Sequence, residues 1–265
     1  MGEALVPGEE DVTRAVRSAG ALNLDETGWS QHGQKRWLWL AASRSAALFK
    51  ILATRGLVGV RTLLGERPVN QVTSDRWNAY NSLPLAQRQS CWSHLARDFQ
   101  GLVDYGGGAE SLGLAGLHAT ALLFEAWSDF KAGRCERAEL QARLEPVRNG
   151  LRDDLQRARD GPKGRAARFA GHLLPRYATL WTFAAVAEVE PTNNHAERQL
   201  RPAVLWRKRS FGNHSEGGCR FAERILTVVQ TLQLQHRPVL DYLTAALTAH
   251  REHRPCPAVC LSTGD

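Results

Sequence analysis

Residues 21–54 read "ALNLDETGWSQHGQKRWLWLAASRSAALFKILAT", and the fold turns on this stretch. "ALNLD" alternates apolar and polar residues and ends in an acid at Asp25. "RWLWLAAS" is aromatic and aliphatic enough for a buried strand, and "AALFKILAT" supplies a third. Gly28 and Gly33 bracket a turn between the first two, which predicts an antiparallel meander. Downstream, "GLVGVRTLLG" has the apolar period of a short helix and "PVNQVTSD" reads as a strand ending at Asp75. A helix and a strand placed after a meander predict a mixed sheet in an α/β layer arrangement. "RQSCWSHL" adds one more strand leading into a helix.

Outward from this stretch the pattern changes. The first residues, to about 18, are acidic then basic without a strong apolar period, and are expected as a loose arm or a short surface helix. Between 96 and 189, "AGLHATALLFEAW", "ERAELQARLEPVRNGLRDDLQRARD" and "LLPRYATLWTFAAV" carry helical periodicity, broken by "YGGG" and "GPKG". They read as a helical insertion in the α/β domain. "RFAERILTVVQTLQLQ" and, after Pro238, "VLDYLTAALTAHREH" are amphipathic C-terminal helices. The expected organisation is an arm (1–20), the first part of an α/β core (21–95), the insertion (96–189), the remainder of the core (190–250) and a tail (251–265).

Composition sets the class. The 265 residues are 43% hydrophobic and 23% charged, as in ordinary globular chains. A net charge of +7 is compatible with a polyanionic partner such as nucleic acid. The five cysteines are odd in number and mostly far apart, which is unlike a secreted disulfide framework and points to a reducing cytosol. No apolar run is long enough for a membrane span, and no leader pattern opens the chain, so a soluble intracellular protein is expected.

"EPTNNHAERQLRP", residues 190–202, has the marks of a helix start. Thr192, Asn193 and Asn194 are N-cap types, and Asn194 with Glu197 approximates a capping box. Ala196, Leu200, Ala203 and Val204 mark a core-facing side, leaving Asn194, Glu197, Arg198 and Arg201 on the other. Pro202 predicts that the helix bends or ends there. Asp25 and Asp75 at strand ends and Glu197 on a packed helix could surround a small volume. Unpaired carboxylates repel, whereas Mg²⁺ turns them into ligands. In-line displacement at phosphorus uses such a site, with two metals about 3.5–4 Å apart. Taken by pattern alone, the favoured readings are a helix-start acid for Glu197 and ordinary strand-end acids for the two aspartates.

"LDETGW", "SDRWNAY", "CWSHLARDF", "PTNNHAERQLRPAVLWRKRSFG" and "SEGGCRFAERILTVVQT" together resemble the DDE transposases of the insertion sequence 66 family. The resemblance runs from about residue 21 to 245 and is most specific between Asn193 and Gly212. It implies a ribonuclease H-like core with a helical insertion, and it assigns Asp25, Asp75 and Glu197 to a catalytic, metal-binding triad holding two Mg²⁺ ions, with Mn²⁺ as substitute. The implied chemistry is hydrolysis at a transposon end followed by attack of the freed 3′-hydroxyl on target DNA. DNA is the implied partner, a homodimer and accessory transposition proteins are further expectations, and the implied location is the bacterial cytosol with its nucleoid. Two other readings stand beside it: a ribonuclease H-like nuclease without strand transfer, and a catalytically silent DNA-binding remnant. Family members usually carry helix-turn-helix and cysteine-rich parts before the first acid. Here Asp25 lies near the start, so recognition of the ends is expected to come from elsewhere.

Arg198, Arg201, Arg207, Lys208, Arg209, Arg220 and Arg224 form a basic concentration suited to phosphate. Trp206 and Phe211 interleave with it and could stack on bases, though buried packing is the favoured expectation for both. Gly212, Gly217 and Gly218 are expected as a flexible turn. His94, Asn193 and Asn194 are candidate neighbours of the active site, while Cys91 reads as structural. His250, His253, Cys256 and Cys260 are formally enough for zinc, in a spacing that does not favour it. Trp37, Trp39, Trp127 and Trp181 are expected in the core.

Overall fold

The computed structural model describes residues 2–260; residues 261–265 of the expected tail lie outside them. In chain order the elements are α1 (Val6–Ser18), β1 (Ala21–Gln31), β2 (Gln34–Ala42), β3 (Ala47–Leu52), α2 (Leu57–Leu64), β4 (Gln71–Ser74), β5 (Arg88–Ser90), α3 (Trp92–Tyr105), α4 (Glu110–Lys131), α5 (Arg137–Asp160), α6 (Arg165–Leu173), α7 (Thr182–Ala185), α8 (Asn194–Ser210), α9 (Glu216–Leu234) and α10 (Val239–Arg251). Strands β1 to β4 form a mixed sheet in the order β3-β2-β1-β4. Three antiparallel strands followed by a parallel crossover through α2 are consistent with a ribonuclease H-like fold. The chain forms two compact units, one of residues up to Leu83 with those from Asn193 onward, the other Pro84–Thr192.

In the first unit β1 continues six residues past Asp25, so that acid lies within the strand and not at its end. Gly28 is a strand residue. The turn is made by His32 and Gly33, both with positive φ as a two-residue hairpin requires. One face of the sheet buries Leu22, Leu24, Trp39 and Leu48 with α1, α2 and α10; the other buries Trp29, Leu38, Leu40 and Phe49 with α8 and α9. Val12 and Val16 put α1 firmly in the first of these layers, where a loose arm or surface helix was expected. Gly8 allows the close approach: a Cβ there would lie 2.8 Å from Val259.

The edge strand β3 is covered by side chains of α9. The N–H groups of Ala47, Phe49 and Ile51 donate to Thr231 Oγ1 (3.0 Å), Thr227 Oγ1 (3.0 Å) and Glu223 Oε1 (2.6 Å). Acceptors four residues apart on one helix thus match alternate residues of one strand, which leaves that edge no row of open donors. The segment after α10 folds back on α1: Asp11 Oδ2 accepts from the N–H groups of Val259 (2.9 Å) and Cys260 (2.8 Å).

The second unit is built on helices. Gly113 and Gly116 let α4 press on Phe99 of α3, where a Cβ at Gly116 would fall 2.2 Å from the ring. The unit starts at Pro84, ahead of the expected insertion, because β5 and the start of α3 belong to its core: Trp92 stacks edge-on against Trp181 at 5.2 Å and donates to the Leu180 carbonyl at 2.7 Å. Cys91 is buried and His94 lies on α3 in this unit. Among the described residues no helix is long and apolar enough to cross a membrane.

Candidate active site

The register of β1 decides which acids share a face. Asn23 pairs with Thr73 of the parallel strand β4, and Asp25 lies opposite Leu40 of β2. Asp25, two residues on from Asn23, falls on the same side of β1 by the period-two alternation, while Asp75 follows the end of β4 at Ser74. That side is the one on which α8 packs through Ala196, Leu200 and Ala203. Glu26, next to Asp25, points the other way and is 7% exposed.

Asp25 and Glu197 line one crevice of about 680 Å³ with Thr27, Asn194, Arg198, Arg201 and Lys208. Asp75 lies outside that lining, just past β4. Its Oδ1 accepts from Trp77 N–H at 2.8 Å and its Oδ2 is 4.0 Å from Arg55 Nη2. Its charge still reaches Asp25. Burial foremost, then the charges of Glu26, Asp75 and Glu197, push the Asp25 carboxyl up to about 7, against the pull of the Glu26 N–H that it accepts at 2.9 Å.

Asn193 sets the start of α8. It makes no capping bond from its side chain. Fully buried, Asn193 donates to the Leu24 carbonyl at 2.8 Å and accepts from Asn23 Nδ2 at 3.1 Å, which ties the helix to β1 beside Asp25. His195 adds a 2.7 Å contact with the Ser43 carbonyl. Pro202 neither ends the helix nor disrupts its packing; α8 runs on to Ser210, with Pro202 on its exposed side.

The basic residues divide. Arg198, Arg201 and Lys208 face the crevice, and Arg209 is exposed. Arg207 turns inward instead, donating to the Gly28 carbonyl and to Thr27 Oγ1. Arg220 pairs with Glu216, and Arg224 with Glu3 and Glu9.

A network missed by sequence reading lies behind Asp75. Glu26 accepts from Tyr80 Oη and, at 2.7 Å, from Arg55 Nε. Arg55 stacks on Trp77 at 4.0 Å and lies 4.9 Å from Trp37, while Trp77 Nε1 donates to the Arg55 carbonyl at 2.8 Å. Burial raises the Glu26 carboxyl above its ordinary range, and the Tyr80 and Arg55 bonds oppose the shift. The sequence signal was the second acid of "LDETGW", but its partners lie 29 and 54 residues away.

Among the described residues no three His, Cys, Asp or Glu side chains are gathered as a metal cage, and this includes the tail His and Cys considered for zinc. The donor chemistry nevertheless suits a hard cation: the candidate ligands are all carboxylate oxygens, and Asp25 is destabilised as an anion first by burial and then by the negative groups around it.

Fold and crevice together define an α/β protein with a mixed sheet of ribonuclease H-like order and an acid-lined site between β1 and α8. Residues 1–220 match the model of the Transposase IS66 family, and the chain belongs to that family. It is 27% identical over 241 residues to the uncharacterized protein y4qI of Sinorhizobium fredii, an alignment covering 81% of this chain and 43% of that protein. The chain thus spans less than half the length of that relative. No solved structure matches it.

Proposed function

We propose that this chain carries the catalytic centre of a DNA transposase, cutting a DNA strand at a transposon end and joining the freed 3′-hydroxyl to target DNA. The observation that supports this reading most is the single crevice in which Asp25 of β1 and Glu197 of α8 meet Arg198, Arg201 and Lys208. Acids that bind a cation sit there beside cations that bind phosphate.

Asp25, Asp75 and Glu197 are the residues that would hold Mg²⁺. When bound, it would stabilise the attacking and leaving oxygens at phosphorus. Arg198, Arg201 and Lys208, repeating at helical intervals, hold the strand's phosphates along the crevice. Asn193 fixes the helix register that brings Glu197 over β1. The Glu26–Tyr80–Arg55 network holds the Asp75 loop from behind. Neither step needs a covalent bond to the protein, because water and then the 3′-hydroxyl are the nucleophiles.

The test is a nicking assay on supercoiled DNA, with Mg²⁺ or with EDTA. The expected result is metal-dependent nicking that Asp75→Ala abolishes while DNA affinity stays within a few-fold. Unchanged nicking in that variant would sink the assignment. Nicked product without joined product, when target DNA is supplied, would favour a nuclease without strand transfer. DNA binding with no nicking in either metal condition would favour a silent remnant.

A further inference from the structure

Phe211, at the C-terminal end of α8, is 84% exposed, more than any other large hydrophobic among the described residues. Core packing, the favoured expectation for this residue, is not its role. Its backbone is left-handed, with φ 58°, a conformation that costs a residue with a Cβ.

The mount beneath it is firm. Phe211 N–H donates to the Arg207 carbonyl at 2.8 Å. Asn213 N–H donates to Ser30 O at 2.9 Å, His32 N–H to Asn213 O at 2.8 Å, and Trp29 Nε1 to Asn213 Oδ1 at 2.8 Å. Gly212 between them has φ 96° and lies so close to β1 that a Cβ would be 2.2 Å from Ser30 O. The segment expected as a flexible turn is therefore pinned to the β1–β2 hairpin. The ring is displayed by rigid backbone in a basic setting: Lys208 and Arg209 precede it, and His32 and Lys35 are exposed on the hairpin it is tied to.

Two rulers place it relative to the acids. From Asp25 to Gln31, which bridges to Asn213, β1 covers about 20 Å. From Glu197 to Phe211, α8 covers about 21 Å. The agreement sets Phe211 at the far end of the groove that Arg198, Arg201 and Lys208 line, about 20 Å from the acids.

We infer that Phe211 is a base-stacking platform for an unpaired stretch of the DNA strand held in the crevice, engaging a base about 20 Å from the phosphate at Asp25 and Glu197. The inference rests on the reading of the crevice as a DNA site. Chemistry selects an unpaired base as the ligand: an exposed aromatic face on a basic rim binds the π-face of any base, while Lys208 and Arg209 bind the phosphates beside it.

The experiment is a fluorescence titration of the full chain with a labelled mixed-sequence 30-nucleotide single strand and the matching duplex. Phe211→Ala is expected to weaken single-strand binding by about 5- to 150-fold, with the salt dependence retained. Phe211→Tyr is expected to stay near wild type. Thermal unfolding of Phe211→Ala should match wild type, since the side chain is out of the core; Phe211→Gly, which also relieves the positive φ, is the second variant. Retained single-strand affinity in both variants, alongside salt-sensitive wild-type binding, overturns the stacking role and leaves the DNA reading intact. Wild type that binds neither probe overturns both. A change of association state in Phe211→Ala, with DNA affinity unchanged, overturns the inference and assigns the ring to a contact between copies.

Discussion

Replacing Asp25 by Asn tests the electrostatics of the crevice without DNA or catalysis. In the folded chain this carboxyl keeps its proton up to about pH 7, whereas in the unfolded chain it releases it near 3.8. The folded state therefore binds more protons in that window, and the group's contribution to stability falls as pH rises through it, then stays level above it. The displacement corresponds to at most about 4 kcal/mol. Asp25 keeps partial solvent access, so about 2–3 kcal/mol is the expected size. Asn preserves an oxygen for the Glu26 N–H but does not titrate. Urea unfolding in EDTA should show Asp25→Asn more stable than wild type above pH 7, with the advantage shrinking towards zero near pH 4. Taking the difference between the two proteins cancels the other titrating groups. Saturating Mg²⁺ should narrow the gap at high pH, because binding stabilises the wild type by about 2.7 kcal/mol at a hundredfold excess over Kd and the variant by less. A difference independent of pH, or a variant less stable than wild type at pH 8 in EDTA, would refute the reasoning.

Asn193→Ala leaves the buried Leu24 carbonyl without that donor and should cost about 1–3 kcal/mol, read as a lower melting temperature. Gly59→Ala brings a Cβ to 2.2 Å from the Trp39 ring, so the α2 contact must move, with an expected loss of about 1–3 kcal/mol in urea. Arg55→Met strands the buried Glu26 charge and should cost about 3–5 kcal/mol, of which Glu26→Gln in the same chain should restore most; additive losses in the double variant would contradict the pairing.

The meander, α2, β4 and the helical character of the later chain were legible because each rests on local periodicity. Three features were not. The strand β1 reads as ending at Asp25 since Gly28 looks like a turn residue; in the fold Gly28 offers its carbonyl to Arg207, a partner 179 residues on. Pro202 reads as a breaker, yet α8 runs through it, with the proline exposed and Leu200 and Ala203 buried, at the cost of the backbone bond its missing N–H cannot give. Asn193 reads as a capping residue, whereas its amide is spent on β1. Of the site, the three acids and the basic face were visible as residue types; Glu26, Tyr80 and Arg55 were not, because their relation is one of long-range contact. Phe211 was visible, but its exposure depends on how Gly212 and Asn213 dock on Ser30 and His32.

The counter-charge beside these acids is shared unequally. Arg55 gives its short bond, 2.7 Å, to Glu26 and stands 4.0 Å from Asp75. An ion pair of the second kind, with Asp75 partly open to water, contributes about 0–1 kcal/mol. The first kind, with Glu26 buried, is costly to break. Arg55 is thus fixed by Glu26 and by the Trp77 ring, while its hold on Asp75 is weak enough for a cation to outcompete. Asp75 is anchored mainly through its Trp77 N–H bond, which leaves Oδ2 as the oxygen to be drawn towards Asp25. Under the proposed function, removing Arg55 should therefore alter Mn²⁺ affinity less than removing Asp75, even though it costs more in stability.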